Sequence, residues 1–565
     1  MKRSVAFVVG AALVCAGSVS AKLQWRDKAW KRIERTVGVQ LLAINDFHGQ
    51  LDGKHVAERP AGGAPVLAAY LKAAEEDSEN PSYFIHCGDL VGASPPASAL
   101  LQDEPSIMFF NMLGNQYTKR LGRFHPRGNL IGVPGNHEFD EGIDELMRLL
   151  RGGNHEDGPF LEDPWNGANF PQVCANIVDK ESNKPVFRPF VIRREKGVPF
   201  AFVGACLEET PTIVTASGVA GLSFEDEAES INKYVRLLKK WGIEAIIVVI
   251  HQGGTMRSYT GPTNPDAYGL EGDIVPILDE LDEEVDVVLT GHRHGFTNVL
   301  YPKSEGNAIL VAQAWSKSTA YADVDIEISR RTRDVVYKSA EIITTWGDEG
   351  PGLTPDPEVI ELVEAAEEAV APLTERPVAE AAAAILRERN EAGESALGNL
   401  IADAQRAKMG TDFAFMNPGG IRADIDSGII TWGELYTVQP FNNYLISMDL
   451  TGQQIYDLLN MQWPPYQPYN RILQISGCEY TWDNTRDDMD KVVEIRKDGQ
   501  PIDRDASYSV TVNSFIAEGG DNFTVLTEGA NKVTGPIDLD ALIEYLQSFS
   551  LPVRGSIEGR IERWD

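Results

Sequence analysis

The chain has 565 residues, a hydrophobic share of 43% and a formal net charge of -33. That length is too great for one hydrophobic core and suits two or three domains. The charge argues against DNA, RNA and anionic membranes as partners, so an anionic ligand has to be small and met by local positive charge.

In chain order, Lys2 and Arg3, an apolar run from Val5 to Ala16 and the small residues Val19-Ser20-Ala21 read as a secretory leader over residues 1–21. Export to a bacterial periplasm or beyond is the expectation. The run is too short to span a bilayer, and Val14 before Cys15 does not suit lipid attachment, so no membrane anchor is expected. Cys87, Cys174, Cys206 and Cys478 follow at wide, irregular spacing. That fits neither a zinc ribbon nor a disulfide-dense scaffold. Cys87 and Cys206 lie in apolar strand patterns and read as buried small hydrophobes, while one bridge among the four stays open.

Residues 36–346 alternate β-rich runs with helical patterns, the signature of layered α/β architecture. Helices are expected from Ala64 to Glu76, Gly142 to Leu150 and Glu227 to Trp241. Residues 347–377 read as a connector: a glycine-rich loop, then Asp356-Pro357 opening an Ala/Glu-rich helix to about Ala371. Residues 378–565 read as a smaller, mixed α+β unit. In it Ser395 caps a helix carrying Leu397, Leu400, Ile401 and Ala404, which Gly410 ends. Further helices are expected at Gln453 to Met461 and Asp538 to Phe549, with strands at Tyr444 to Met448, Ile472 to Ile475 and Tyr508 to Val512. Ala381 to Ile385 has the composition of a helix but the position of a strand.

Five apolar runs of the first unit end on His, Asp or Asn. They close on Asn45-Asp46-Phe47-His48, Gly88-Asp89, Gly135-Asn136-His137-Glu138, His251 and Gly291-His292-Arg293-His294. Buried strands of an open α/β sheet present their carboxyl ends to one crevice, so five such ends converge. A single histidine of this kind is ordinarily a satisfied core residue. Yet five of the nine histidines in the chain fall at these ends. Asp46, His48, Asp89, Asn136, His251, His292 and His294 are the donor types that hold two divalent ions such as zinc or manganese, with Asp89 placed to bridge them. Such a pair acidifies a water and neutralises a phosphoryl group, which is what hydrolysis of a phosphate ester demands. Gly88, Gly135 and Gly291 precede ligands at tight turns, where a residue without Cβ is favoured.

These blocks, in this order and spacing, resemble the signature of the calcineurin-like metallophosphoesterases, and Asn136-His137-Glu138-Phe139-Asp140 resembles the 5'-nucleotidases among them. The resemblance implies a four-layer α/β/β/α catalytic domain followed by a substrate-binding domain. It implies a first ion on Asp46, His48, Asp89 and His294 and a second on Asp89, Asn136, His251 and His292. It also implies that His137, oriented by Asp140, stabilises the transition state or leaving group, a task suited to an imidazole held by a carboxylate.

The second unit carries Asn417-Pro418-Gly419-Gly420-Ile421-Arg422, Pro440-Phe441-Asn442-Asn443 and the run from Asn513 to Asp521. Aromatics on loops can clamp a flat base, an arginine can pair with phosphate and a loop aspartate can accept ribose hydroxyls. The blocks resemble the 5'-nucleotidase substrate domain, which implies that Phe441 and Phe515 clamp the base and that Asn417, Arg422, Asn443 and Asp521 bind substrate groups. Pro418 replaces a more usual glycine, and Gly393-Glu394-Ser395 lacks an arginine that some members use there. The expected activity is removal of phosphate from nucleoside 5'-monophosphates, with 2',3'-cyclic nucleotides and nucleotide diphosphate sugars as further candidates. The competing readings are a thiosulfohydrolase-like or other phosphoesterase relative of the same fold, and a non-catalytic nucleotide-binding exoprotein.

Overall fold

The β-branched runs of the first unit assemble into two sheets in the computed structural model, which describes residues 35–115, 124–263, 269–303, 307–467 and 469–564. The expected leader over residues 1–21, with Cys15, lies outside the described residues. One sheet has five strands, ordered Val335–Thr344, Ala320–Ser329, Thr36–Ile44, Ser82–Cys87 and Leu130–Val133, the last three parallel. The other has six, ordered Phe296–Pro302, Ala308–Ala314, Val285–Thr290, Ile246–His251, Val198–Cys206 and Phe190–Glu195, with a parallel centre.

The inner faces of the two sheets share one core. Val39, Leu41, Ile85 and Val133 meet Phe202, Val249, Leu289 and Leu310 there. Strands buried on both faces read as continuous apolar runs rather than alternating ones, which is why these segments stand out in the sequence. On one outer face Leu42, Ile44 and Phe84 pack under the helices Ala64–Asp77, Glu104–Leu113 and Pro357–Thr374. On the other, Ile246 and Val248 pack under Glu227–Lys240 and Ile274–Glu280. The result is the expected α/β/β/α order.

Local chemistry sets the helix limits. Asp226 accepts from Glu229 N at 2.7 Å, and Asp356 accepts from Glu358 N and Val359 N at 3.1 and 3.2 Å. Ser395 accepts from Gly398 N at 3.0 Å to start Ala396–Met409, which stops at Gly410 with a φ of 68°. The helix Pro357–Thr374 places Val359, Leu362 and Ala366 in the core of the first unit.

In the second unit a five-stranded sheet runs Gln474–Ser476, Phe413–Met416, Ser507–Asn513, Tyr444–Thr451 and Ala530–Ile537. A four-stranded sheet, ending on Ile561–Trp564, stands beside it. The ambiguous Ala381 to Ile385 stretch resolves as the end of the strand Pro377–Ala381 followed by a bend. Antiparallel pairing with Gly428–Thr431 outweighs the helical preference of alanine. All four described cysteines are free and buried, so the bridge left open by their spacing does not form. Burial pushes the Cys174 thiol up to about 12, which leaves it inert.

Candidate active site

Every expected metal donor lies at or just beyond the carboxyl end of a strand. Asp46 lies two residues beyond Thr36–Ile44, Asp89 two beyond Ser82–Cys87 and His292 two beyond Val285–Thr290, while His251 is the last residue of its own strand. Asp46, His48, Asp89, His292 and His294 have φ values of 49, 50, 50, 70 and 50°. Non-glycine residues rarely adopt this left-handed region, at a cost of about 1–3 kcal/mol each, and such strain gathers at functional sites.

Two donor triads result. The ligand atoms of Asp46, His48 and His294 lie within 4.8 Å of one another, as do those of Asp89, His251 and His292. Asp89 joins the two: its Oδ2 is 3.7 Å from His48 Nε2 and 3.0 Å from His251 Nε2. Asn136 Oδ1 stands 3.1 Å from His292 Nδ1, and His48 Nε2 stands 3.1 Å from His294 Nε2. The far nitrogens of two rings are tied to backbone carbonyls, His48 Nδ1 to Gly92 O at 2.9 Å and His251 Nδ1 to Cys87 O at 2.7 Å. Each ring therefore donates outward and turns Nε2 into the centre, the arrangement that readies an imidazole for a metal.

Buried polar atoms normally find partners, and those that do not need a reason. His251 Nε2 is buried and, despite its closeness to Asp89, lacks hydrogen-bond geometry to any acceptor. With carboxylate, imidazole and amide oxygen around it, the donor set fits a pair of divalent ions. Burial drives His48 well below its ordinary pKa, and burial followed by the charge of His251 pushes His292 down to about 3. Both are thus neutral, as ligands must be, whereas for His251 burial is outweighed by the charge of Asp89, which raises the pKa to about 9. Burial opposes the charge of Asp89, but His251 and His137 outweigh it and hold the carboxyl well below the usual range.

Of the three turn glycines only Gly88 needs a left-handed backbone, with a φ of 83°. Gly135 and Gly291 serve by close approach: a Cβ on Gly135 would meet Asp89 Oδ1 at 2.2 Å, and one on Gly291 would meet Cys87 O at 2.5 Å. His137 Nδ1 is 2.7 Å from Asp140 Oδ2, and its backbone N donates to Asp89 Oδ1 at 2.9 Å. Burial lowers the His137 pKa, but Asp140 and Asp89 more than compensate, so it stands above the ordinary value.

Two residues inside the motifs carry roles that the sequence does not reveal. Glu138 is buried and accepts from Asp89 N at 3.0 Å, Leu90 N at 2.7 Å and Gly135 N, which pins two ligand loops together. Asn45 donates to Asp46 Oδ2 at 2.7 Å and accepts from Ala314 N at 2.8 Å.

A cavity of about 400 Å³ separates the metal donors from the second unit. Asn136, His137 and His292 of the first unit line it together with Asn417, Arg422, Phe441, Asn443, Phe515 and Asp521 of the second. Phe441 and Phe515 are half-buried, unlike the core phenylalanines Phe413, Phe415 and Phe523. The Phe441 ring lies 5.9 Å from His137, nearly parallel, and the Arg422 guanidinium is 5.8 Å from the other partner of that contact, the Phe441 centroid. Burial and the charge of Arg387 lower the Arg422 pKa. Asn417 Nδ2 donates to Asp521 Oδ2 at 2.9 Å and Asn443 Oδ1 accepts from Ser514 Oγ at 3.2 Å.

At the position where an arginine is lacking, Glu394 is wholly buried and accepts from Asn399 Nδ2 at 2.6 Å and Glu558 N at 2.7 Å. Arg387, Arg389, Tyr469 and Arg471 enter the cavity wall instead. No motif marks them in the sequence, because they come from loops whose path only the fold sets.

Two facing sheets with carboxylate, imidazole and amide donors at the strand ends define a metal-dependent phosphoesterase. Residues 39–296 match the model of the calcineurin-like phosphoesterases and residues 374–528 that of the 5'-nucleotidase C-terminal domain. The chain is 36% identical over 537 residues to the endonuclease YhcR of Bacillus subtilis, covering 93% of this chain but only 41% of YhcR. It is 34% identical over 553 residues to the cell wall protein Lmo0130 of Listeria monocytogenes, covering 91% of this chain and 67% of that protein. Among solved structures it matches a 5'-nucleotidase precursor of Thermus thermophilus with a TM-score of 0.76 and 27% identity, over 93% of this chain and 99% of the other. The chain belongs to the 5'-nucleotidase family, in which a calcineurin-like phosphoesterase domain is joined to a 5'-nucleotidase C-terminal domain.

Proposed function

We propose that the protein is an exported phosphohydrolase with a dinuclear metal centre that removes phosphate from nucleoside 5'-monophosphates, with 2',3'-cyclic nucleotides and nucleotide diphosphate sugars as further substrates. One observation carries this reading: a single cavity is lined by His292 of one donor triad with Asn136 and His137 beside it, and also by two half-buried phenylalanines and the carboxylate of Asp521. Export draws support from the leader-like residues 1–21 and from a relative that is a cell wall protein. Among the described residues no helix is long and apolar enough to cross a membrane.

Zinc, manganese or a similar ion pair, held by Asp46, His48, Asp89 and His294 and by Asp89, Asn136, His251 and His292, would acidify a water and neutralise the phosphoryl oxygens. Arg422 pairs with the phosphate from the opposite wall. His137, with Nδ1 engaged by Asp140, offers Nε2 to the departing 5'-oxygen. Phe441 and Phe515 take the base, and Asp521 accepts from the ribose. These contacts hold the ester in line for attack, which converts binding energy into rate.

Phosphate release from AMP, measured with zinc or manganese and again in excess chelator, tests the reading. The expected outcome is activity that disappears with the chelator and returns with metal. Nucleotide binding without phosphate release under any metal would instead indicate a binding protein. Release from p-nitrophenyl phosphate but not from AMP would indicate a different ester.

A further inference from the structure

Asp521 cannot orient itself. It lies in a loop beside Gly519 and Gly520, with its own backbone in the left-handed region at a φ of 54°. Its carboxylate is 9% exposed, and a buried charge without a partner is unstable there. Arg471 supplies that partner: its Nη1 is 2.9 Å from Asp521 Oδ1 and also donates to Gln467 Oε1 at 3.2 Å. Gln467 Nε2 in turn donates to Asp521 O at 2.6 Å, so one side chain and one backbone carbonyl are gripped from the same loop. The Arg471 guanidinium lies 4.9 Å from the Tyr469 ring, whose other neighbour is Arg293 at 5.2 Å, between the donors His292 and His294.

We propose that Arg471, steadied by Gln467 and Tyr469, is a positioning residue that holds Asp521 as a preset acceptor for two ribose hydroxyls, so that among nucleoside 5'-monophosphates the site selects those with an intact 2',3'-diol. This rests on the nucleotide reading above. An ionised carboxylate has about four acceptor positions. Arg471 and Asn417 occupy one on each oxygen, which leaves one on each oxygen of a carboxylate in the cavity wall. Two acceptors at the spacing of a carboxylate match two vicinal hydroxyls. A free carboxylate on a glycine loop would have to be ordered by the substrate itself, and that ordering weakens binding.

The test compares AMP, its 2',3'-dideoxy analogue and p-nitrophenyl phosphate on the metal-loaded wild-type protein and on Arg471→Met and Arg471→Lys. Wild type is expected to favour AMP over the dideoxy analogue through KM. Arg471→Met is expected to raise KM for AMP about tenfold or more, the scale of a lost charged hydrogen bond, with kcat little changed. Its KM for the other two substrates should stay where it was, and Arg471→Lys should recover part of the loss. A uniform loss on all three substrates, or an unchanged KM for AMP, overturns the proposal. So does a wild type that hydrolyses AMP and the dideoxy analogue equally, although the nucleotide reading then stands. Hydrolysis of p-nitrophenyl phosphate without AMP removes both.

Discussion

His137 shows how much one side chain depends on its neighbours. Asp140 at 2.7 Å fixes which ring nitrogen carries the proton, and Asp89 adds the charge that favours the imidazolium. A group that acts on the leaving oxygen contributes to the transition state and little to ground-state binding. His137→Ala is therefore expected to lower kcat for AMP by about 10²–10⁴-fold with KM within a few-fold, as steady-state kinetics would read it. An unchanged kcat would remove His137 from the reaction. Glu138, three residues after Gly135, has a different task. Burial and Asp89 raise its pKa to about 7 against the opposing His251 and the N–H groups of Gly135 and Leu90, and its contacts to those N–H groups make it an anchor for backbone.

Individual elements carry their own liabilities. Asp286 sits at the start of the strand Val285–Thr290, accepts from Ile246 N at 3.1 Å and is pushed up to about 7 by burial. Asp538 opens the helix Asp538–Gln547, accepts from Leu539 N at 2.9 Å and is likewise pushed up to about 7 by burial. The folded pKa of each exceeds the unfolded value of about 3.9, so between those limits the folded state binds more protons than the unfolded one. Stability from these groups is present at low pH and is lost as pH rises from about 4 to about 7, by on the order of 1–4 kcal/mol per group. The melting temperature of wild type is thus expected to fall more between pH 5 and pH 8 than that of Asp286→Asn or Asp538→Asn. Parallel slopes for wild type and both variants in calorimetry would show that these carboxyls remain ionised.

At the scale of the whole molecule the site exists only because two units face each other. The proposed nucleotide selection needs lining residues from both units. The half-buried Phe441 and Phe515 of the second unit line the same cavity as His292 of the first. Phe441→Ala with Phe515→Ala is expected to remove most of the preference for AMP over p-nitrophenyl phosphate, since a stacked base is worth about 1–3 kcal/mol. A preference that survives the double change would show that the aromatics do not clamp the base. The ratio of kcat/KM for the two substrates measures it directly.

The set of parts is legible in the amino-acid order alone. Continuous apolar runs marked the inner strands, Asp356, Ser395 and Gly410 marked helix limits, and the donors Asp46 to His294 stood at strand ends because that is where a parallel sheet exposes its chain. These signals are local, and local propensity and periodicity write them into adjacent residues. Which residues from unrelated loops complete the site emerges only once the chain is packed. Arg471 reaches Asp521 across 50 positions of chain, and Tyr469 meets Arg293 from the other unit. The path of a loop depends on the packed surface beneath it, which no short stretch of sequence contains. The same holds for the strand ending at Ala381, where pairing with Gly428–Thr431 overrode composition.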